Sequence, residues 1–168
     1  MRAHTPLILT IAFFTAVTVA SQEKAEVLPS YEPVTKFDSS RDAAQDIAAA
    51  AGEAKRTGRH VLVDVGGDWC IWCKRLDAFF DEQKDVAEFL RKNYVAVKVN
   101  YSKESKNEAV LSRYPKVAGY PHFFVLDGDG KLLHSQDTGV LELGKGHDRE
   151  KVLAFLKQWA PQGGPPAR

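Results

Sequence analysis

Apolar and polar positions follow two different periods along this chain, and each change of period marks an element. "HVLVDV" (60–65) and "YVAVKVN" (94–100) are short apolar, β-branched runs, the pattern of strands buried inside a sheet. "HFFVLD" (122–127) predicts a third strand, and "DGDG" at 127–130 predicts a turn into an antiparallel partner, "KLLHS". Between these runs the spacing becomes helical. Ala43, Ile47, Ala50 and Ala54 predict a helix capped by Ser39 or Ser40 and stopped at Gly58. Leu76, Phe79, Phe80, Val86, Phe89 and Leu90 keep helical spacing as far as Asn93. Residues 107–114 predict a short helix ended by Pro115, and Val152, Phe155, Leu156 and Trp159 mark the face of a last helix over 148–159. "VTKF" (34–37) alternates and predicts a short edge strand. The order β-α-β-α-β-α-β-β-α, without an internal repeat, implies an α/β domain. Its central mixed β-sheet is parallel in its first part and flanked by helices.

Composition narrows this picture little. A chain of 168 residues has room for one ordinary domain, and a net charge of +1 gives no reason to expect nucleic acid as a partner. The N-terminus adds more. Arg2 and His4 precede an apolar run from Leu7 to Ala20, with small residues at Thr18, Ala20 and Ser21. A charged start, a short apolar middle and a small-residue exit predict a cleaved signal peptide over 1–20, since the run falls short of the roughly 20 residues that span a membrane. No cysteine stands at the exit to carry a lipid. The mature protein is therefore expected outside the cytoplasm, with a polar, proline-broken leader over 21–33, a domain over 34–160 and a disordered Gly/Pro-rich tail over 161–168.

The chain has two cysteines, and both lie in "GGDWCIWCKRL" (66–76). Four readings compete. A structural staple over so short a loop contributes only about 2 kcal/mol by chain entropy. A zinc or copper site needs further ligands, and the five histidines are scattered, with only His122 arguable toward the pair. Two buried thiols at accidental spacing ignore the surrounding sequence. Gly66-Gly67 releases the chain from a strand, and a helix starting near Cys70 places one sulfur at its N-terminus, where the macrodipole stabilises a thiolate. Cys73 returns to the same side about one turn later. The surroundings favour the fourth reading, a redox-active dithiol in which Cys70 is the exposed attacking thiolate and Cys73 resolves the mixed disulfide. Ile71 and Trp72 shape the surface between them, while Lys74 and Asp68 act on Cys70 with opposite sign.

These residues resemble the thioredoxin superfamily over about Val34 to Trp159, closest to bacterial extracytoplasmic proteins with a W-C-x-x-C-K motif. "VLVDVGGDWCIWCK" looks like the family's strand–turn–helix segment, "VKVN" like its next strand, and "VAGYPHFFVLD" like the segment that carries its cis-proline. The resemblance implies a thioredoxin fold. It implies that Asp64 is the buried acid that moves protons for Cys73, and a lone carboxyl in an apolar strand should indeed have a raised pKa. Lys98 matches the lysine that pairs with this acid, although a lysine here also reads as a snorkelling surface residue. Pro121 matches the cis-proline that faces the pair, Tyr120 would line the substrate groove, and Trp69 would flank it. Two departures stand out. Ile71-Trp72 replaces the common Gly-Pro dipeptide, and His122 follows the proline where threonine is frequent. His122 reads as a tuner of the thiolate, a proton carrier, a third metal ligand, or an outward-facing strand residue.

The implied activity is thiol–disulfide exchange with protein thiols and disulfides, reduction favoured over oxidation. No dissociable cofactor is expected, because the cysteines hold the electrons. A membrane redox partner would supply electrons to this compartment, and a monomer is expected. The other classes are a metal-handling module and a chaperone-like binding module on the same fold.

Overall fold

The computed structural model describes residues 31–163. Residues 1–20, expected to be a signal peptide, most of the expected leader over 21–33 and the tail beyond 163 lie outside the described residues. The first helix, α1 (Ala43–Thr57), precedes strand β1 (His60–Gly66). Helices α2 (Ile71–Glu82) and α3 (Lys84–Asn93) follow, then β2 (Tyr94–Asn100), the short α4 (Glu108–Leu111), β3 (His122–Leu126) and β4 (Leu132–Asp137). A 3-10 turn (Thr138–Leu141) leads into a small hairpin, β5 (Glu142–Leu143) and β6 (Gly146–His147), and α5 (Arg149–Gln158) ends the domain.

The main sheet has the order β2-β1-β3-β4. β1 and β2 are parallel, as the intervening helical crossover requires, whereas β3 and β4 run antiparallel to their neighbours. Strand alternation sorts the core into two faces. Val61, Val63 and Val65 point with Phe124 and Leu126 toward α1. Leu62, Phe123 and Val125 point toward α2, α3 and α5, meeting Leu76, Phe79, Val86, Val152 and Leu156. Asp64 pairs with Lys98 on β2 and Phe123 on β3, so all three belong to the α2 face.

Several expectations are corrected. Residues 34–37 form no strand. Their only ladder-like bond is from the Lys98 N–H to the Val34 carbonyl, 3.1 Å, after which the chain crosses the edge of β2. Val34 is buried in the α1-side core, and Phe37 is buried beside the cysteines. This strap thus joins the two faces. The cap of α1 is Asp42, whose carboxylate accepts from the N–H groups of Ala44 and Gln45. Ser40 is instead held by Asp38, which accepts from both its N–H and its hydroxyl. The stop at Gly58 stands, with φ of 64° and its N–H on the Ala54 carbonyl. The long helical stretch to Asn93 is broken at Gln83, where ψ is 73°. The β5–β6 hairpin was not expected.

Candidate active site

β1 ends at Gly66, where the next layer leaves no room for a side chain. A Cβ on Gly66 would lie 2.5 Å from Cys73 Sγ and 3.0 Å from Phe37 Cζ. On Gly67 it would meet the Trp69 indole at 2.5 Å and the Tyr101 carbonyl at 3.0 Å. Two glycines therefore let the chain fold back on itself. The Cys70 N–H donates to the Gly67 carbonyl at 2.9 Å, closing the turn. Cys70 is the N-cap of α2, with extended backbone, and its Sγ accepts the Cys73 N–H at 3.1 Å. A thiolate at that position would gain a charge-assisted hydrogen bond and the positive end of a helix dipole. The two cysteines form a disulfide with a Cα–Cα distance of 5.3 Å.

The structure departs from the expected exposure of Cys70, which is only 4% exposed. With its sulfur bonded to Cys73, the pair packs against Phe37, Trp72 and Tyr120. Trp69 and Ile71 flank it and stay open to solvent. The Trp69 indole N–H donates to the Tyr101 carbonyl at 2.6 Å, and its ring meets Tyr120 edge-on. Tyr101 in turn stacks on Tyr120 at 4.7 Å. The Tyr120–Pro121 peptide is cis, and the Pro121 carbonyl accepts the Thr138 hydroxyl. Burial and the adjacent Tyr101 phenol raise the Tyr120 pKa well above its ordinary value.

Asp64 lies two residues before Gly66 on the same face, beneath α2. It is 8% exposed, and its Oδ1 is buried without a hydrogen-bond partner. Burial raises its pKa, and Lys98 offsets this in part. The Lys98 ammonium lies 3.1 Å from Asp64 Oδ2, 2.7 Å from Asp77 Oδ1 and 4.1 Å from the centre of the Phe37 ring. Burial works against its charge, but the two carboxylates outweigh it and the Lys98 pKa rises. Lys98 is therefore an inward-facing ion-pair partner and not a snorkelling surface residue. A cavity of about 540 Å³ beside β2 is lined by Asp64, Asp77, Lys98, Phe80 and Leu90, among others.

Cys70, Cys73, Trp72 and Tyr120 come together, with Pro121 bonded to Tyr120, Trp69 against Tyr120 and Ile71 on the rim; Asp64 and Lys98 form the layer below. His122 does not join them. Its register opposite Val65 turns it toward the α1 face, where it is 4% exposed and its Nε2 lies 2.8 Å from Ser135 Oγ. Burial lowers its pKa. Its burial excludes the outward-facing alternative, and its contacts are to Ser135 and Phe124. Phe37, Asp77, Tyr101 and Thr138 were missed by sequence reasoning. Only Asp77 carried a signal, one helical turn after Cys73. Among the described residues, no group of three or more His, Cys, Asp or Glu side chains is arranged to hold a metal ion.

Comparison with known proteins agrees with this geometry. Thiol:disulfide interchange protein DsbD of Klebsiella pneumoniae is 28% identical over 107 residues, which is 63% of this chain and 17% of that protein. Disulfide bond reductase DsbH of Chlamydia pneumoniae is 26% identical over 80 residues, 43% of this chain and 48% of that protein. The chain thus spans less than a fifth of that DsbD and about half of DsbH. Among solved structures, a disulphide isomerase from Xylella fastidiosa superposes with a TM-score of 0.60 at 24% identity, over 72% of this chain and 93% of that one. The oxidised C-terminal domain of Neisseria meningitidis DsbD gives 0.54 at 24% identity, over 70% and 96%. These two likenesses speak for the fold. A family model described as thioredoxin-like matches residues 42–128, about half of the chain, including both cysteines, Asp64 and the cis-proline. The chain belongs to the thioredoxin-like family.

Proposed function

We propose that this protein is an extracytoplasmic thiol–disulfide oxidoreductase that reduces disulfides of other proteins. The observation that carries the reading is the placement of Cys70 as N-cap of α2, with Cys73 one turn on and bonded to it. In the reduced form the Cys70 thiolate attacks one sulfur of a substrate disulfide. A mixed disulfide forms, and the first substrate thiolate leaves and takes up a proton. Cys73 then gives up its proton toward Asp64 and attacks Cys70 Sγ. The Cys70–Cys73 bond forms and the second substrate thiol is released. The substrate gains two electrons from the cysteine pair and two protons, one given up by Cys73 by way of Asp64 and one from water, which took the Cys70 proton when the thiolate formed.

Asp64 suits proton acceptance because burial raises its pKa, which brings it nearer the working pH. Lys98 and Asp77 hold that carboxyl in place. Trp69, Ile71, Trp72, Tyr120 and Pro121 would receive the substrate chain, and His122 is left out of this set. The names of the DsbD and DsbH relatives support exchange chemistry, and DsbH supports reduction. The N-terminal pattern supports an extracytoplasmic location. Among the described residues, no helix is long and apolar enough to cross a membrane. Renewed electrons would come from a membrane redox partner, and the working form would be a monomer.

The test is equilibration in metal-free glutathione buffers, followed by the fluorescence of Trp69 and Trp72. Family potentials run from about −270 to −120 mV. A reversible two-electron couple near the lower end is expected. A couple near the upper end would assign the protein to disulfide formation, and no reversible couple would end the oxidoreductase reading.

A further inference from the structure

Phe37 reaches the redox pair from the strap that crosses the edge of β2, ahead of the residues matched by the family model, and the exchange chemistry leaves it without a role. Its side chain is buried and packs with Cys70 and Cys73. Its Cζ and the Cys73 sulfur both crowd the space over Gly66, where a Cβ would lie 3.0 Å from one and 2.5 Å from the other. Its face carries the Lys98 ammonium, 4.1 Å from the ring centre. One side chain therefore bridges the thiol that must lose a proton and the cation paired with the acid that receives it.

The two carboxylates around that ammonium differ in surroundings. Asp64 Oδ2, 3.1 Å away, is buried, whereas Asp77 Oδ1, 2.7 Å away, belongs to a half-exposed side chain. A lysine on its flexible stem, left to these two alone, is drawn toward the nearer and better hydrated one. An aromatic face attracts a cation, and more strongly where both are out of water. The ring stands at Gly66, two residues along β1 from Asp64, so this third contact draws the ammonium toward β1 and away from solvent. Asp64 from β1 and Asp77 from α2 are the charged groups that face Lys98 among the described residues. Lys36 and Asp38 on the strap are exposed, and so is Arg91 on α3.

We propose that Phe37 is a positioning residue for the resolving step, whose ring holds the Lys98 ammonium against Asp64 and so favours the state in which Asp64 and Cys73 together have lost one proton. The role rests on the oxidoreductase reading of the Cys70–Cys73 pair. In that step the Cys73 proton passes to Asp64 and the Cys70–Cys73 bond forms. The bond from Cys70 to the substrate sulfur breaks, and its electron pair leaves with the substrate thiolate. Whichever of Asp64 and Cys73 holds the negative charge, a more distant cation makes that charge costlier and moves their joint titration upward.

The test follows the reduced protein with a nitrothiobenzoate disulfide by stopped flow across a range of pH. Release of the second coloured thiolate reports the attack of Cys73 on the mixed disulfide at Cys70. Phe37→Leu keeps a large apolar side chain and removes the ring. Its rate is expected to rise with pH along a limb displaced upward by about half to one pH unit, about three- to tenfold slower on the limb and equal to wild type above it. In a Lys98→Met background the same substitution is expected to leave the limb where Lys98→Met alone puts it, as a residue acting through the ammonium requires. The midpoint of the limb does not depend on the folded fraction, so partial unfolding does not mimic the shift. A Phe37→Leu limb at the wild-type midpoint overturns the role, and so does an equal displacement with and without Lys98. If the wild type releases no second thiolate at any pH, the oxidoreductase reading falls and the role of Phe37 with it.

Discussion

At the scale of single residues, the site turns on what is absent at Gly66 and what is buried at Asp64. Gly66→Ala places a methyl 2.5 Å from a sulfur held in a disulfide, which cannot swing aside as a free side chain would. A loss of about 1–3 kcal/mol is expected for the oxidised protein, seen as a lower urea midpoint. Asp64 holds its proton more tightly in the folded chain than in the unfolded one, where its ordinary pKa is 3.8. Stability from this group is therefore full below pH 3.8 and is lost as pH rises through the raised folded value. Asp64→Asn is expected to unfold at higher temperature than wild type at pH 7, with the two converging toward pH 3. Lys98 keeps Asp77 as a partner in that variant. The same substitution should slow resolution of the mixed disulfide by about 10²-fold in single-turnover measurements. Both cysteines and Asp64 were legible in the sequence, because a lone charge in a β-branched run and a close cysteine pair are local signals. Tyr101 and Phe37 were not, since each reaches the site from a segment whose path the pattern does not specify. The placement of His122 depended on cross-strand register, which determines the face on which each odd or even residue lies.

At the scale of elements, the strands and most helices were readable from their periods, and the failures have physical causes. Residues 81–85, Asp-Glu-Gln-Lys-Asp, contain neither glycine nor proline, and the apolar spacing stays in phase across them. The break at Gln83 therefore leaves no mark. The 142–147 hairpin has strands of two residues, too short for alternation to register. At the start of α1 several side chains compete for the cap, and Asp42 takes it with bonds of 2.9 and 3.1 Å. Asp42→Ala is expected to cost about 1 kcal/mol in urea unfolding. Ser39→Ala should leave the midpoint unchanged, because no capping bond depends on it.

At the scale of the whole molecule, the strap from Tyr31 to Phe37 contributes more than its buried surface. The sheet ends at β2, and that end carries backbone groups with no neighbouring strand. Val34 and Tyr31 engage two of them, the Lys98 N–H and the Ala96 carbonyl. A protein beginning at Asp38 would lose the burial of Val34 and Phe37, each worth about 1.5–3 kcal/mol. It would also bare the edge of β2 as a template for another strand. Self-pairing that grows with concentration is the expected outcome, read by light scattering; a truncated protein that scatters like the full chain at every concentration would contradict it. The strap thus acts as a guard against the protein's own copies, and a segment that looks like a mere lead-in helps keep the sheet from extending beyond one molecule.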